Sequence, residues 1–501
     1  MKLLVTAEQM RTCDSLTIET YLMPSLILME RAALAVAEEI QCRWKSGKIL
    51  AVCGPGNNGG DGVAAARILK LRGYSPEILL TSSPEKFSSG MKKQMEISQK
   101  YRIPVVKNPV FTEYTVIIDA VFGTGLTRDI SGKTAEIIRQ MNSSQIPVVS
   151  VDIPSGIHAD TGEILGTAVR AEATVTFAFE KPGLYLPPGN LYSGRILTAE
   201  IGISDFTQKN EVHYYRMETK DLLKFLWRDP LGNKGTFGKL LVAAGSREIC
   251  GAALLCAESA FRSGTGMVKV LTEETNRLPF LMKLPEAMLS LYGEEEIRPS
   301  LMEQTARWAD LVLLGPGMGT GKSAEKIFNW FLIHSHLPMV LDADALNLAA
   351  HNPDCLLKAS EPVVITPHIG EMSRLTGKSI QDLKKEPCAA ALEFAKKYQV
   401  ICVLKDARTV TASPEGRIYI NTSGSSALAT AGSGDVLAGL IASFLVQQKK
   451  SESPAPADQT VAAAVFLHGL LGERAGAENT ESYVTAGDLI RTLSDSRHFI
   501  C

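Results

Sequence analysis

The stretch ILAVCGPGNNGGDGVAAARILKLR, Ile49–Arg72, decides the fold class. Its first five residues are a short, wholly apolar run of the kind that a strand buried on both faces carries. A glycine-rich turn follows, and Asp61–Arg72 then places Val63, Ala66 and Leu69 at helical spacing,. Strand, loop and helix in that order are one unit of a parallel sheet. Outward from this unit the pattern repeats. Strands are expected at Ile78–Thr81, Val116–Asp119 and Pro147–Asp152, and helices at Lys86–Tyr101 and Lys133–Met141. Two helices, Ala7–Tyr21 and Pro24–Trp44, precede it. Alternating strands and helices predict a parallel sheet with helices on both faces. The loops after Cys53, Asp119 and Val151 then leave the sheet at one edge and converge on one crevice.

From Ile203 to Asp229 the rhythm lapses into a polar stretch, read as the join between two fused domains, 1–212 and 213–501,. A second α/β pattern follows, with strands expected at Lys239–Ala244, Met267–Leu271, Leu311–Leu314, Met339–Leu341, Val363–Thr366 and Ile401–Leu404. Its expected helices are Gly251–Ser263, Ser323–Ile333, Lys378–Tyr398, Asp435–Val446 and Gln459–Ala475, with a surface loop at Gln447–Pro456. The halves do not repeat one another, which indicates fusion instead of duplication.

Composition excludes several classes. With 45% hydrophobic and 21% charged residues among 501, the chain is globular, and its net charge of −2 gives no field for non-specific nucleic-acid or acidic-lipid binding,. The nine cysteines are odd in number, scattered and never in CxxC spacing, so reduced thiols and a cytoplasmic location are expected,. The opening MKLLVTAEQM turns polar at Thr6, so no secretory leader is expected, and no apolar run approaches a bilayer's thickness,.

Four motifs carry chemistry. In Gly54–Gly62, five glycines in nine residues let amides approach an anion at a helix start, and two adjacent asparagines add oxygens that a turn does not need,. Asn58, Asp119 and Ser155 each stand near a strand end and offer oxygen. Together they suit a hard cation of low charge, although helix caps and turn bonds explain them equally well,. Gly315–Ser323 nearly spells a phosphate loop, but Pro316 replaces its first glycine and has no N–H to donate, so a substrate-facing turn is the better reading,. In Thr430–Asp435, the amides of Gly432, Ser433 and Gly434 can face a phosphoryl group, and Asp435 can take a proton from a substrate hydroxyl,. Lone histidines such as His334 and His336 are read as structural.

Taken together, GPGNNGGDG, IIDAVFGTGLTRD, VSVDIPSGI and FEKPG resemble the NAD(P)HX epimerase, or YjeF N-terminal, family. KGTFGKLLVAAGS, LGPGMG, VLDADALN, ITPHIGE, VLKD and AGSGD resemble the NAD(P)HX dehydratases of the ribokinase-like superfamily. The resemblance implies a Rossmann-like domain fused to a ribokinase-like α/β domain, an isomerase joined to a carbon–oxygen lyase. Such an enzyme interconverts the R and S hydrates of NADH and NADPH (NADHX and NADPHX). It dehydrates the S form at the expense of ADP, or ATP in eukaryotic relatives, leaving AMP and phosphate when ADP is the donor.

By the same resemblance the epimerase hydrate lies against Asn57, Asn58, Gly59, Gly60 and Asp61, and against Gly123, Thr124, Gly125, Leu126, Thr127, Arg128 and Asp129, with Asp152 beside it. Potassium falls to Asn58, Asp119 and Ser155. Asp152 is the expected acid/base, with Lys181 as partner or, alternatively, as a phosphate contact. In the other half Asp435 is the general base and also contacts the hydrate. Ala252 or Ala253, Gly317 and His368 contact the hydrate, while Lys405, Asp406, Ala407, Arg408, Thr409, Gly432, Ser433 and Gly434 contact nucleotide. Glu371 resembles the acidic residue that orients magnesium-bound water. A homo-oligomer is expected, with no nucleic-acid or membrane partner. Two other functions fit part of the pattern. A small-molecule kinase with a fused binding module would yield a stable phosphorylated product, and a scaffold role for the first half would leave chemistry indifferent to Asp152.

Overall fold

The computed structural model describes residues 1–204, 212–293 and 297–494. Part of the expected join and Cys501 lie outside the described residues. The chain forms two compact units, Leu3–Glu211 and Val212–Cys501 with the first two residues.

The chain opens with β1 (Lys2–Leu4), and the N-terminal unit holds a seven-stranded sheet whose strands are β2 (Lys48–Cys53), β3 (Ser75–Leu80), β4 (Val105–Val106), β5 (Val116–Ala120), β6 (Val148–Val151), β7 (Ala173–Phe177) and β8 (Arg195–Ala199). Their order is β4-β3-β2-β5-β6-β7-β8, every pair parallel. Alternate residues of β2 serve opposite faces. Ile49, Ala51 and Cys53 join a core with the helices Ser25–Arg43 and Asn57–Leu71, whereas Leu50 and Val52 join one with the helix Gly132–Ser143. Burial on both faces is why β2 reads as an unbroken apolar run. The order reverses between β2 and β5, so their loops part and leave a crevice,.

The C-terminal unit repeats this logic. Its strands are β9 (His213–Arg216), β10 (Lys239–Ala243), β11 (Met267–Glu273), β12 (Met288–Tyr292), β13 (Leu311–Leu314), β14 (Met339–Leu341), β15 (Val363–Ile365), β16 (Val400–Leu404), β17 (Val410–Ala412) and β18 (Arg417–Ile420). They run β9-β18-β17-β16-β15-β14-β13-β10-β11-β12, with the switch between β10 and β13. Leu240 and Val242 of β10 pack with the helices Gly251–Arg262, Ser433–Lys450 and Ala457–Asn479. Among the described residues no helix is long and apolar enough to cross a membrane.

Several expected elements need correction. The helix after the glycine loop begins at Asn57, so both asparagines stand in its first turn and not in the loop. The single helix expected over Lys378–Tyr398 is two, Ile380–Lys385 and Pro387–Tyr398, because Pro387 has no N–H to continue the first and suits the opening turn of the second,. The helix begun at Ser433 runs to Lys450, which shortens the expected surface loop to residues 451–456. The short terminal strands β4, β8 and β12 escaped notice because an edge strand need not be apolar on both faces,.

The β2 loop owes its path to Gly54. Its N–H donates to the Ala120 carbonyl at 2.9 Å, and a Cβ there would stand 1.8 Å from the Val121 carbonyl oxygen. Gly54→Ala is expected to destabilise the N-terminal unit by about 3 kcal/mol, since only backbone movement relieves the clash. Gly56→Ala, whose Cβ meets nothing within 4 Å, leaves the unit near wild type, and urea titration of the two variants checks both outcomes.

Candidate functional sites at two sheet edges

A cleft of about 580 Å³ opens where the β2 and β5 loops part. Asn57, Asn58, Asp61, Gly123, Thr124, Gly125, Leu126, Thr127, Arg128, Asp152 and Lys181 line it. Gly59 and Gly60 do not. They are buried inside the helix, where a Cβ would strike the Gly54 carbonyl at 2.0 Å or the Met29 Cε at 2.8 Å, so close packing explains them. Asp129 is exposed and off the cleft wall.

Asp152 has φ +67°, a left-handed backbone that a non-glycine residue adopts at a cost and that recurs at functional sites,. Its Oδ1 accepts from Lys181 Nζ at 2.5 Å, Thr176 Oγ1 at 3.1 Å and Phe177 N at 3.4 Å. Lys181 is completely buried and also donates to Thr176 Oγ1 at 2.9 Å, which leaves no exposed ammonium for a phosphate. Asp61 is driven well above the ordinary carboxylate range by burial and then by the charges of Asp152 and Asp14. Asp14 is raised by burial and Asp152 against an opposing effect of Lys181. The wall contributed by Met10, Arg11, Asp14 and Ile18 carries no motif, and the sequence reading missed it.

Below the cleft, Asp119 is fully buried. It accepts from Ser155 Oγ at 2.6 Å and from Ser155 N and Ser150 Oγ at 2.8 Å each. Burial raises its carboxyl against the pull of these bonds. Among the described residues Asp119 has no ion-pair partner, and the buried Asn58 Nδ2 has no hydrogen-bond partner.

The second site gathers at the carboxyl ends of β14, β15 and β16. Lys405 Nζ donates to Asp342 Oδ1 at 2.7 Å, and Thr366 Oγ1 donates to the same oxygen at 2.7 Å. Burial opposes the Lys405 charge, but Asp342, Glu371 and Asp435 outweigh it and raise its pKa. Ala343, between Asp342 and the helix Asp344–Ala350, is held at φ +49°. His368 caps the helix Ile369–Thr376, its Nδ1 accepting from Gly370 N at 3.0 Å, while His368 N donates to Glu371 Oε2 at 2.8 Å. The bond from Gly370 N puts the proton of the neutral ring on Nε2, and the half-exposed ring remains accessible,. Burial pushes the Glu371 carboxyl to about 7.

Asp435 lies in the first turn of the helix Ser433–Lys450, and burial, then Asp342, push its carboxyl to about 6. Gly432 caps that helix at φ +87°, where a side chain would meet Leu255 and Ala486. A Cβ on Gly434 would stand 3.5 Å from Lys405 Nζ, so the glycine loop and the lysine share one space. One expectation is revised here, because the Ser433 amide donates back to the Thr430 carbonyl at 3.3 Å and is not free to face an anion. Its hydroxyl lies 3.3 Å from Nε2 of His468, a buried histidine that burial lowers to about 4 and keeps neutral.

The other expected contacts divide. Arg408 donates to the Thr422 and Ser423 carbonyls at 2.9 and 3.3 Å and so orders that loop, Asp406 and Ala407 are exposed, and Thr409 is half-buried. Gly317, at φ +61°, approaches Ala252, whereas Ala253 is fully buried in the core, so side-chain contact with a ligand falls to Ala252. Pro316 offers its carbonyl to Gly245 N at 2.9 Å, a turn contact and not a phosphate grip. Among the described residues no three His, Cys, Asp or Glu side chains cluster as a metal site.

Comparison with known proteins supplies independent findings. Residues 25–183 match the family described as YjeF-related protein N-terminus, and residues 240–495 match NAD(P)H-hydrate dehydratase. The bifunctional NAD(P)H-hydrate repair enzyme of Moorella thermoacetica is 34% identical over 520 residues, covering 98% of this chain and 96% of its own. The Escherichia coli enzyme of that name is 33% identical over 453 residues, 89% of this chain and 84% of its own. Among solved structures, a ribokinase-like superfamily protein from Enterococcus faecalis aligns at TM-score 0.50 and 28% identity over 59% of this chain and 99% of that one.

Proposed function

This chain belongs to the family of bifunctional NAD(P)H-hydrate repair enzymes, and from that premise we propose how its two sites divide the work. The N-terminal cleft interconverts the R and S hydrates of NADH and NADPH, and the C-terminal site dehydrates the S form with ADP as phosphoryl donor. The observation that carries the second assignment is Asp435, a raised carboxyl at a glycine-lined helix start that shares its space with Lys405.

In the C-terminal site Asp435 accepts the proton of the hydrate hydroxyl as its oxygen attacks the terminal phosphoryl group. The Gly434 amide and Lys405 stabilise the charge that develops. Phosphate then leaves with the carbon–oxygen electron pair as the nitrogen lone pair forms a C=N⁺ bond, water takes a proton from the neighbouring ring carbon, and the C–H pair forms the ring double bond that restores the dihydropyridine. Magnesium supplies charge neutralisation on the nucleotide phosphates when bound. Glu371 would hold it through water, as suits a cation that keeps part of its hydration shell. In the N-terminal cleft, Asp152 exchanges a proton with the oxygen on the hydroxyl-bearing carbon, and Lys181 holds its carboxyl group in place.

Potassium fits beneath that cleft. The donors are all oxygens, the Asp119 carboxylate lacks a counter-charge, and turning the Asn58 amide over replaces its unsatisfied N–H₂ with an oxygen ligand,. Asn58, Asp119 and Ser155 would hold the ion, which would supply positive charge beneath the β5 and β6 loops. Ser150→Ala, which removes only the outer bond to Asp119 Oδ2, is expected to raise the potassium concentration for half-maximal epimerisation about tenfold,. Dehydration of the S hydrate stays unchanged, and epimer chromatography over a potassium series reads both.

The whole assignment is tested by incubating the protein with mixed NADHX epimers, magnesium, potassium and ADP while following NADH absorbance and free phosphate. Complete conversion with one phosphate per NADH is expected. A stable phosphorylated product without NADH would restore the small-molecule kinase reading.

A further inference from the structure

Asp14 stands on the helix Ala7–Ser15 and lines the same cleft as Asp152 and Lys181. Among the described residues it makes no hydrogen bond and no ion pair, in contrast to Asp152, whose Oδ1 is occupied by three donors. A carboxyl left without a protein partner in a cleft is free to engage what enters it.

The reaction needs such a group. The hydroxyl-bearing carbon of the hydrate is bonded to the ring nitrogen, and its configuration inverts when oxygen departs from one face and water returns to the other. Departure requires a proton donor on the first face, and return requires a proton acceptor on the second. One carboxyl cannot reach both faces of a bound ring. Resting on the repair function above, we propose that Asp14 is the second proton-transfer residue of epimerisation, working on one face of the ring while Asp152 works on the other.

The steps balance. The Asp14 carboxyl gives its proton to the hydroxyl as the carbon–oxygen bond breaks with its electron pair, water leaves, and the nitrogen lone pair forms a C=N⁺ bond. Water on the opposite face then adds to that carbon, the π pair returns to nitrogen, and Asp152 takes the proton from the incoming water. One proton has moved from Asp14 to Asp152, and exchange with solvent resets the pair. The reverse reaction exchanges their roles.

The charged groups that act on Asp14 or feel it are Asp152, Lys181 and Asp61, and Arg11 and Arg128 also line the cleft. Asp61 is the alternative carrier. Burial and the charges of Asp152 and Asp14 raise its carboxyl well above the ordinary range, and it is fixed within the helix Asn57–Leu71 beside the asparagines. Asp14 sits under opposing influences from Asp152 and Lys181 and can exchange.

The test uses the full chain, purified R-NADHX without ADP, epimer chromatography and H₂¹⁸O. Asp14→Asn is expected to lower kcat for R-to-S conversion about 100-fold or more with KM nearly unchanged, and to remove one limb of its pH profile. Asp14→Glu should recover at least a tenth of the rate. The wild type should take up one solvent oxygen per inversion, and urea titration of the N-terminal unit in each variant, with the KM for R-NADHX, reports that this unit remains folded. Epimerisation by Asp14→Asn at near wild-type rate, or inversion that retains the original oxygen, would overturn the proposal. A wild type that inverts nothing would instead overturn the repair function on which it rests.

Discussion

Asp435→Asn lowers kcat/KM for S-hydrate dehydration by about 10²- to 10⁴-fold while nucleotide still binds, because the variant keeps the helix start and its amides but cannot accept a proton,. In the wild type, kcat/KM rises with pH through about 6, where Asp435 loses its proton, and the variant flattens that limb. Glu371, pushed to about 7, shares the fields of Asp342 and Lys405 with Asp435, so the profile belongs to the cluster,. Glu371→Gln separates the two by leaving the lower limb in place. Stability moves the opposite way. A carboxyl whose pKa is higher folded than unfolded weakens the fold once it ionises, so Asp435→Asn melts higher at neutral pH. That gain disappears as the pH falls to the ordinary carboxylate range. A protein that is more stable yet inactive cannot be dismissed as misfolded, which makes thermal melting beside steady-state kinetics the decisive pair.

Asp152→Asn produces two separable losses. Epimerisation falls at least 100-fold, and a mixed-epimer assay stalls once the S hydrate is consumed. The N-terminal unit also loses about 3–5 kcal/mol, because the completely buried Lys181 ammonium is left without its carboxylate,. Lys181→Met in the same chain removes the orphaned charge and recovers most of the stability. It recovers none of the epimerisation, since the proton carrier is still missing. Urea titration and epimer chromatography on both variants tell these losses apart. Retained epimerisation in Asp152→Asn would move the chemistry elsewhere in the cleft. S-hydrate dehydration, performed in the other unit, serves as the internal control.

The placement of several residues of the two candidate sites at strand or helix ends, each in its own unit, was legible in the sequence. Asp152 stands directly after β6, Lys405 directly after β16, and Asp435 follows a glycine turn, and parallel sheets place such positions along one edge,. Other parts left no local trace. Asp14 sits in an amphipathic helix whose buried residues are Ala7, Met10 and Cys13, a pattern that records which face meets the core and nothing about a cleft,. His468 lies within a long, mostly buried helix, where a histidine reads as core until its ring is found beside Ser433. Asp342 was visible as a polar residue after a strand, but its bond to Lys405 was not.

The sequence by itself determined the α/β class, the succession of two parallel-sheet units and the glycine loops at their strand ends. These are local facts, because a strand buried on both faces must be continuously apolar and a loop at a helix start must admit close approach. Only the tertiary structure decided the pairings on which the chemistry depends. Lys181 meets Asp152 across 29 residues, His468 meets Ser433 across 35, and Lys405 meets Asp342 across 63. Strand order and register bring such residues together, and no local periodicity encodes which distant side chain will complete a buried charge.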